Sequence, residues 1–263
     1  YKRQEVSILL DDNLQVSVLN ALDENTTGIV IAFAIKSLSG NVEDLIKAYN
    51  SYGIIGLGDE SIILSNIHTL EDLKAINNAT SGVITLYDNT VALSGTSADL
   101  LDAFTGTFNS TYTGFLTITD ASGTNISAAD LAAIGSATTG TVTATNRIAI
   151  SGTGAEVTAV LITEQSKVNI SSPTTADISD SITVSNASAI SQTNNITAIF
   201  SGGVVDTIAN LTSSGSITDD LLAITNDDED VNITIIDDKS TSVKATELSS
   251  IGDATTGKVT VSN

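Results

Sequence analysis

Acidic side chains are the one chemical resource that this sequence concentrates. Asp and Glu number 31 against 10 Lys and Arg, a formal charge of −21, and they gather at Asp11-Asp12-Asn13, Asp219-Asp220, Asn226 to Asp230 and Asp237-Asp238. Calcium takes roughly six to eight oxygen ligands, and Asp or Asn in turns supplies them readily. Asp227, Asp228, Asp230, Asp237 and Asp238 are therefore the candidate metal ligands, with calcium the candidate cofactor. None of the clusters has EF-hand spacing or the Gly-rich calcium nonapeptide, so oxygen chemistry alone carries that expectation.

Other reactions find less support. Cysteine is absent, which removes disulfides, thiol nucleophiles and Cys-ligated zinc together. His68 is the only histidine. A Ser-His-Asp arrangement would need it as base, but no GxSxG elbow accompanies it, and it is expected as a surface turn residue before the helix that begins TLEDL. Gly53-Ile-Ile-Gly56-Leu-Gly58 departs from GxGxxG and reads as strand and turn. A paired-carboxylate hydrolase on a parallel β-helix is the remaining enzyme reading; with five Tyr, five Phe and no Trp, the chain has few rings to stack on sugars. No catalytic residue and no cofactor-binding loop is expected.

The same composition limits the partners. Phosphate contacts require clustered Lys and Arg, so nucleic acid and anionic lipid are excluded. The longest apolar run, Gly28 to Ile35, is too short to cross a bilayer, so no membrane insertion is expected. Nine Asn-x-Ser/Thr sequons occur, at Asn25, Asn78, Asn109, Asn125, Asn169, Asn186, Asn195, Asn210 and Asn232, and they matter only where a host glycosylates them. Tyr1 follows no signal-peptide pattern, as expected of a processed product or an excised piece.

The elements that carry these residues repeat. TTG-like turns place glycines at 28, 82, 140 and 257, spaced by 54, 58 and 117. A shorter marker, an acid followed by an aliphatic residue, begins at 44, 72, 99, 130 and 156 and steps by 28, 27, 31 and 26. A unit of about 27 residues therefore underlies the chain.

Each unit has its own folding signals. Thr69/Asp72, Thr96/Asp99, Ser127/Asp130, Thr153/Glu156 and Thr174/Asp177 all have capping-box spacing, so these acids are expected to start helices. Gly28, Gly82, Gly140 and Gly257 are expected to end them in the left-handed conformation. The strands that follow, such as GVITLYD, GTVTATN and GKVTVSN, alternate aliphatic and hydroxyl residues, and many close with an Asp or Asn suited to a bend. Aromatic content is 4%, so the core must be thin layers of Val, Ile, Leu and Ala.

Together these features predict an α/β repeat solenoid, a parallel β-helix-like stack of short strands with one short capped helix in each coil. Residues 1–263 are read as one continuous solenoid: 1–60 a divergent first repeat or cap, 61–166 regular repeats, 167–230 a degenerate repeat, and 231–263 a final regular repeat.

The stretches DASGTNISAADLAAIGSATTGTVTATN and RIAISGTGAEVTAVL resemble Ala/Thr/Ser-rich repeats of large secreted bacterial surface proteins, of the S-layer and adhesin kind. The resemblance covers about residues 61–165 and 235–263 and implies an extracellular, cell-surface structural role with no catalytic residues to carry over. The strand expected over Glu5 to Leu10 and the uncapped strand ending at Asn263 point to self-association, head-to-tail or by strand addition, into a filament or surface lattice. An adhesin module binding a surface ligand or polysaccharide is the alternative.

Overall fold

The computed structural model describes residues 6–7, 13–163 and 168–262. Asp11, Asp12, Lys167, Asn263 and most of the Glu5 to Leu10 segment lie outside the described residues. Two compact units emerge, one of Tyr1–Thr117 with Ala137–Thr141, the other of Ile118–Ser136 with Val142–Asn263.

The fold is α/β, with short helices and several mostly parallel sheets of short strands. The helices are α1 Val16–Asn25, α2 Val42–Tyr49, α3 Leu70–Ala79, α4 Ser97–Phe104, α5 Ala128–Ala137, α6 Gly154–Leu161, α7 Val184–Ser191, α8 Ile208–Leu211, α9 Asp219–Asp227 and α10 Ala245–Ala254.

In the first unit a five-stranded sheet runs Leu14–Gln15, Ser37–Gly40, Ser61–Leu64, Val83–Thr85, Thr107–Phe108. Leu38 pairs with Leu14 on one side and Ile62 on the other, 24 residues away each time. A second sheet of Val6–Ser7, Val30–Ile31 and Ile54–Ile55 keeps the same step, Val30 lying between Val6 and Ile54. The second unit holds a parallel sheet of Asn125–Ser127, Ala149–Gly152, Thr174–Ile178 and Ile196–Ile199, and another of Val204–Asp206, Ile233–Ile235 and Val259–Val261. Its steps are less even: Ile150 to Ala176 is 26 residues, Ala176 to Ala198 is 22, and Val204 to Ile233 is 29. Helix starts give the longer spacing near 27 because the turns between strand and helix differ in length from one repeat to the next.

Equivalent positions fill the core. Leu19, Leu45, Leu73 and Leu100, one from each of α1 to α4, are fully buried, as are Leu38 and Ile62 on the neighbouring strands. Each such side chain contributes about 1.5–3 kcal/mol.

Two expectations need correction. Thr174 and Asp177 do not cap a helix: Thr174–Ile178 is a strand whose burial alternates, with Thr174, Ala176 and Ile178 inside. The two-residue alternation of TTADI outweighs its helix-start spacing, and the helix of this repeat, α7, begins after Thr183.

The TTG glycines are the second. Left-handed glycines occur elsewhere, at Gly56, Gly123, Gly203 and Gly215 for example, whereas Gly28, Gly82, Gly140 and Gly257 are not among them. The residues after α3 and α10, Thr80 and Thr255, are extended, with φ −133° in each. Glycine is required there for proximity. A methyl group at Gly82 would sit 2.2 Å from the Glu60 carbonyl oxygen, and one at Gly257 2.2 Å from that of Asp230. The preceding threonine completes the device. Thr80 Oγ1 accepts from Gly82 N at 2.9 Å and donates to Glu60 O at 2.7 Å, and Thr255 repeats this with Gly257 N and Val231 O. Ser51 accepts from Gly53 N in the same way, at 3.0 Å, so Ser51-Tyr52-Gly53 is a further copy that a search for TTG overlooks.

Candidate functional site

Carboxylates and amides at helix starts and strand ends form a recurring polar arrangement among the described residues. Some act within one repeat. Thr69 Oγ1 accepts from Asp72 N while Asp72 Oδ2 accepts from Thr69 N at 2.9 Å, and Thr153 with Glu156 does the same. Thr96 and Ser127 accept from the amides of Asp99 and Asp130. Asn41 adds a cap that the hydroxyl pattern misses, accepting from Asp44 N at 2.8 Å.

A second set acts between repeats. Asn66 Oδ1 accepts from Val42 N at 3.0 Å, Asp180 Oδ1 from Gly154 N at 2.7 Å, Asp206 Oδ2 from Val184 N at 3.0 Å, and Asp237 Oδ2 from Ile208 N at 2.6 Å. Each donor is the first residue of α2, α6, α7 or α8, and each acceptor follows or ends a strand 22 to 29 residues later. Asn66, Asp180, Asp206 and Asp237 are residues of the same types that close other strands of the chain. All four satisfy free first-turn amides of a neighbouring repeat, and the three aspartates also place negative charge at the helix N-terminus.

The five candidate metal ligands divide along these lines. Asp237 is buried and serves Ile208, while its neighbour Asp238 is exposed. Asp227 Oδ2 accepts from Ala198 N at 3.1 Å, and Asp228 Oδ2 from Phe200 N at 2.7 Å, so both also tie one repeat to another. Burial pushes the Asp228 carboxyl above the usual carboxylate range, the Phe200 N–H opposes this, and the nearby Asp230 carboxylate adds to it. Asp228 and Asp230 are thus brought together. Among the described residues no group of three or more His, Cys, Asp or Glu is placed to hold a metal ion.

His68 is not at the surface. Its side chain is 1% exposed, and neither Nδ1 nor Nε2 has a hydrogen-bond partner. It packs edge-on to Tyr112, with ring centroids 6.1 Å apart, and Tyr112 in turn meets Phe104 at 4.9 Å. Burial holds the imidazole below its ordinary value, against the upward pull of the Asp72 and Asp88 charges. With no nucleophile hydrogen-bonded to it, this histidine is a core side chain that packs as a neutral ring.

The enclosed carboxyl of Glu60 is engaged in structure. Glu60, 1% exposed, accepts from Gly58 N at 2.9 Å and from the Tyr49 hydroxyl, and burial pushes the Tyr49 hydroxyl well above its usual range. The recess beside Tyr49 is lined by Asn50, Ile54, Leu57, Ala75 and Asn78 and brings no acid together with a base. Gly53-Ile-Ile-Gly56-Leu-Gly58 contains the short strand Ile54–Ile55, as a strand-and-turn reading requires.

Among the described residues of the first unit, four rings stand exposed: Tyr52, fully, and Phe33, Tyr87 and Phe115, about two-thirds. No helix among the described residues is long and apolar enough to cross a membrane. No family model matches the chain, and neither a curated protein nor a solved structure matches it.

Proposed function

We propose that the chain is a non-catalytic extracellular structural protein whose repeats wind as a solenoid and which self-assembles, head-to-tail or by strand addition, into a filament or surface lattice. The observation that carries this reading is the way one repeat docks on the next. Strands pair in parallel and in register at steps of 22 to 29 residues, threonines reach back to carbonyl oxygens one repeat earlier, and acids cap helices one repeat away. Such an interface is extended by adding another unit of the same kind.

The strand Val259–Val261 lies at the edge of its sheet, paired on one side with Ile233–Ile235. Its outer backbone groups suit a parallel strand from a second copy. Electron microscopy of the purified chain is expected to show polymers. Monodisperse monomer by light scattering at high concentration would overturn the assembly.

The exposed rings Phe33, Tyr52, Tyr87 and Phe115 favour a second reading, an adhesin module that stacks them on a surface polysaccharide. Glycan-array binding lost on Tyr52→Ala and Tyr87→Ala, with folding intact, distinguishes it from pure assembly. Calcium enters either reading at Asp228 and Asp230, and titration calorimetry of chelator-treated protein, with Asp230→Asn as control, tests for it.

A further inference from the structure

All nine sequon asparagines are exposed, but the fold does not offer them equally. A glycan acceptor needs a free side-chain amide and, two residues on, a free hydroxyl. Eight sequons lack one or the other. The hydroxyl residues of three, Thr80, Ser188 and Thr212, are buried. In two more the hydroxyl is engaged: Ser127 Oγ accepts from Asp130 N, and Ser171 Oγ donates to Ala144 O at 2.7 Å. In the last three the asparagine is engaged, Asn25 donating to Ala21 O, Asn195 to Ile170 O, and Asn232 accepting from Lys258 N.

Asn109-Ser110-Thr111 differs from all of these. Its three residues are exposed, in a bend just after the strand Thr107–Phe108. None of its three side chains has a hydrogen-bond partner among the described residues, whereas its backbone is held at both ends. Asn109 N donates to Ile84 O at 2.9 Å, and Thr111 O accepts from Asn89 Nδ2 at 2.8 Å. Tyr112, 3% exposed and donating its hydroxyl to Val91 O, anchors the next residue. A bend fixed by its backbone and free in its side chains presents the acceptor at little further cost in ordering.

We propose that Asn109 is the acceptor of an N-linked glycan on the folded protein. The co-reactant is a lipid-(di)phosphate-linked oligosaccharide. The Asn109 Nδ2 attacks its anomeric carbon, an N–C bond forms as the C–O bond to phosphate breaks, the amide loses one proton to a base of the transferase, and the lipid (di)phosphate leaves. The site requires the extracellular placement of the proposed function but not assembly, so a bare Asn109 and a failure to polymerise are separate results.

Peptide mass mapping of the protein from its native source is expected to show a saccharide mass on the Asn109 peptide. The folded chain, given an oligosaccharyltransferase and the lipid-linked donor, is expected to take its first glycan at Asn109. Asn109→Gln and Thr111→Ala should abolish that mass shift while Thr111→Ser retains it, and heat-unfolded chain should spread the modification over other sequons. A bare Asn109 in the native protein, or equal modification of all nine sequons on the folded chain, overturns the proposal.

Discussion

Helix α3 and helices α7 and α8 begin by different means. At α3, Thr69 and Asp72 cap each other within four residues. At α7 and α8 the preceding threonines, Thr183 and Thr207, make no side-chain cap, and the first amides are received by Asp206 and Asp237 from 22 and 29 residues away. The contrast shows how the region that loses sequence register keeps its structure. At α2 and α6 both kinds of cap are present; at α7 and α8, where the local one is missing, the acid of the neighbouring repeat remains and the N-cap is a bond between repeats.

The comparison can be broken at several points. The largest effect is expected at the close contact common to both units: Gly82→Ala and Gly257→Ala each force a methyl group to 2.2 Å from a carbonyl oxygen and should destabilise by about 3 kcal/mol or more in urea titration. Next comes Asp206→Ala. It leaves Val184 N, Thr207 N and the Asn210 amide without their acceptor and should cost about 2–4 kcal/mol by the same measurement. Thr69→Ala removes only a local, exposed cap and should cost about 1 kcal/mol. Equal losses at Asp206 and Thr69 would show that caps between repeats are worth no more than caps within one.

Acidification tests the first unit through His68. Its imidazole titrates below the ordinary 6.5 when folded, so at intermediate pH the unfolded chain binds the extra proton. Stability is therefore complete above about pH 6.5 and falls as pH drops, by up to about 1.4 kcal/mol per unit until the folded value is reached. His68→Leu should flatten that window. It should leave intact the loss at lower pH from Asp99, whose carboxyl is held down chiefly by Lys74. The smallest effect belongs to the Lys47–Glu24 pair, more than half exposed on both sides: Lys47→Ala should leave the thermal melting point unchanged.

What could be read from the sequence was whatever is written within a few residues. The boxes at Thr69 and Thr153, the alternation of strands such as Val142–Ala144, and the recurrence of the TTG turn are of this kind. Thr174 shows the limit, because cap spacing and strand alternation coincide there and only burial on the sheet decides between them. The glycines of TTG were legible as necessary but not in their reason, since the carbonyl oxygen that excludes a side chain is about 22 to 27 residues earlier. His68 was misplaced because a single polar residue in a polar context carries no periodicity, and the ring of Tyr112, itself packed on Phe104, reaches it from a distant residue. The partners of Asp180, Asp206, Asp228 and Asp237 were hidden for the same reason.

The caps between repeats also give unfolding a direction. In the second unit the acceptor always lies later in the chain than the helix it serves, as Asp237 serves Ile208 and Asp206 serves Val184. Detaching a later repeat strips the start of the helix before it, while detaching an earlier one leaves the later helix with its own acceptor. Fraying should therefore travel backward along the sequence, and in hydrogen exchange the Ile208 amide should lose protection before that of Val184.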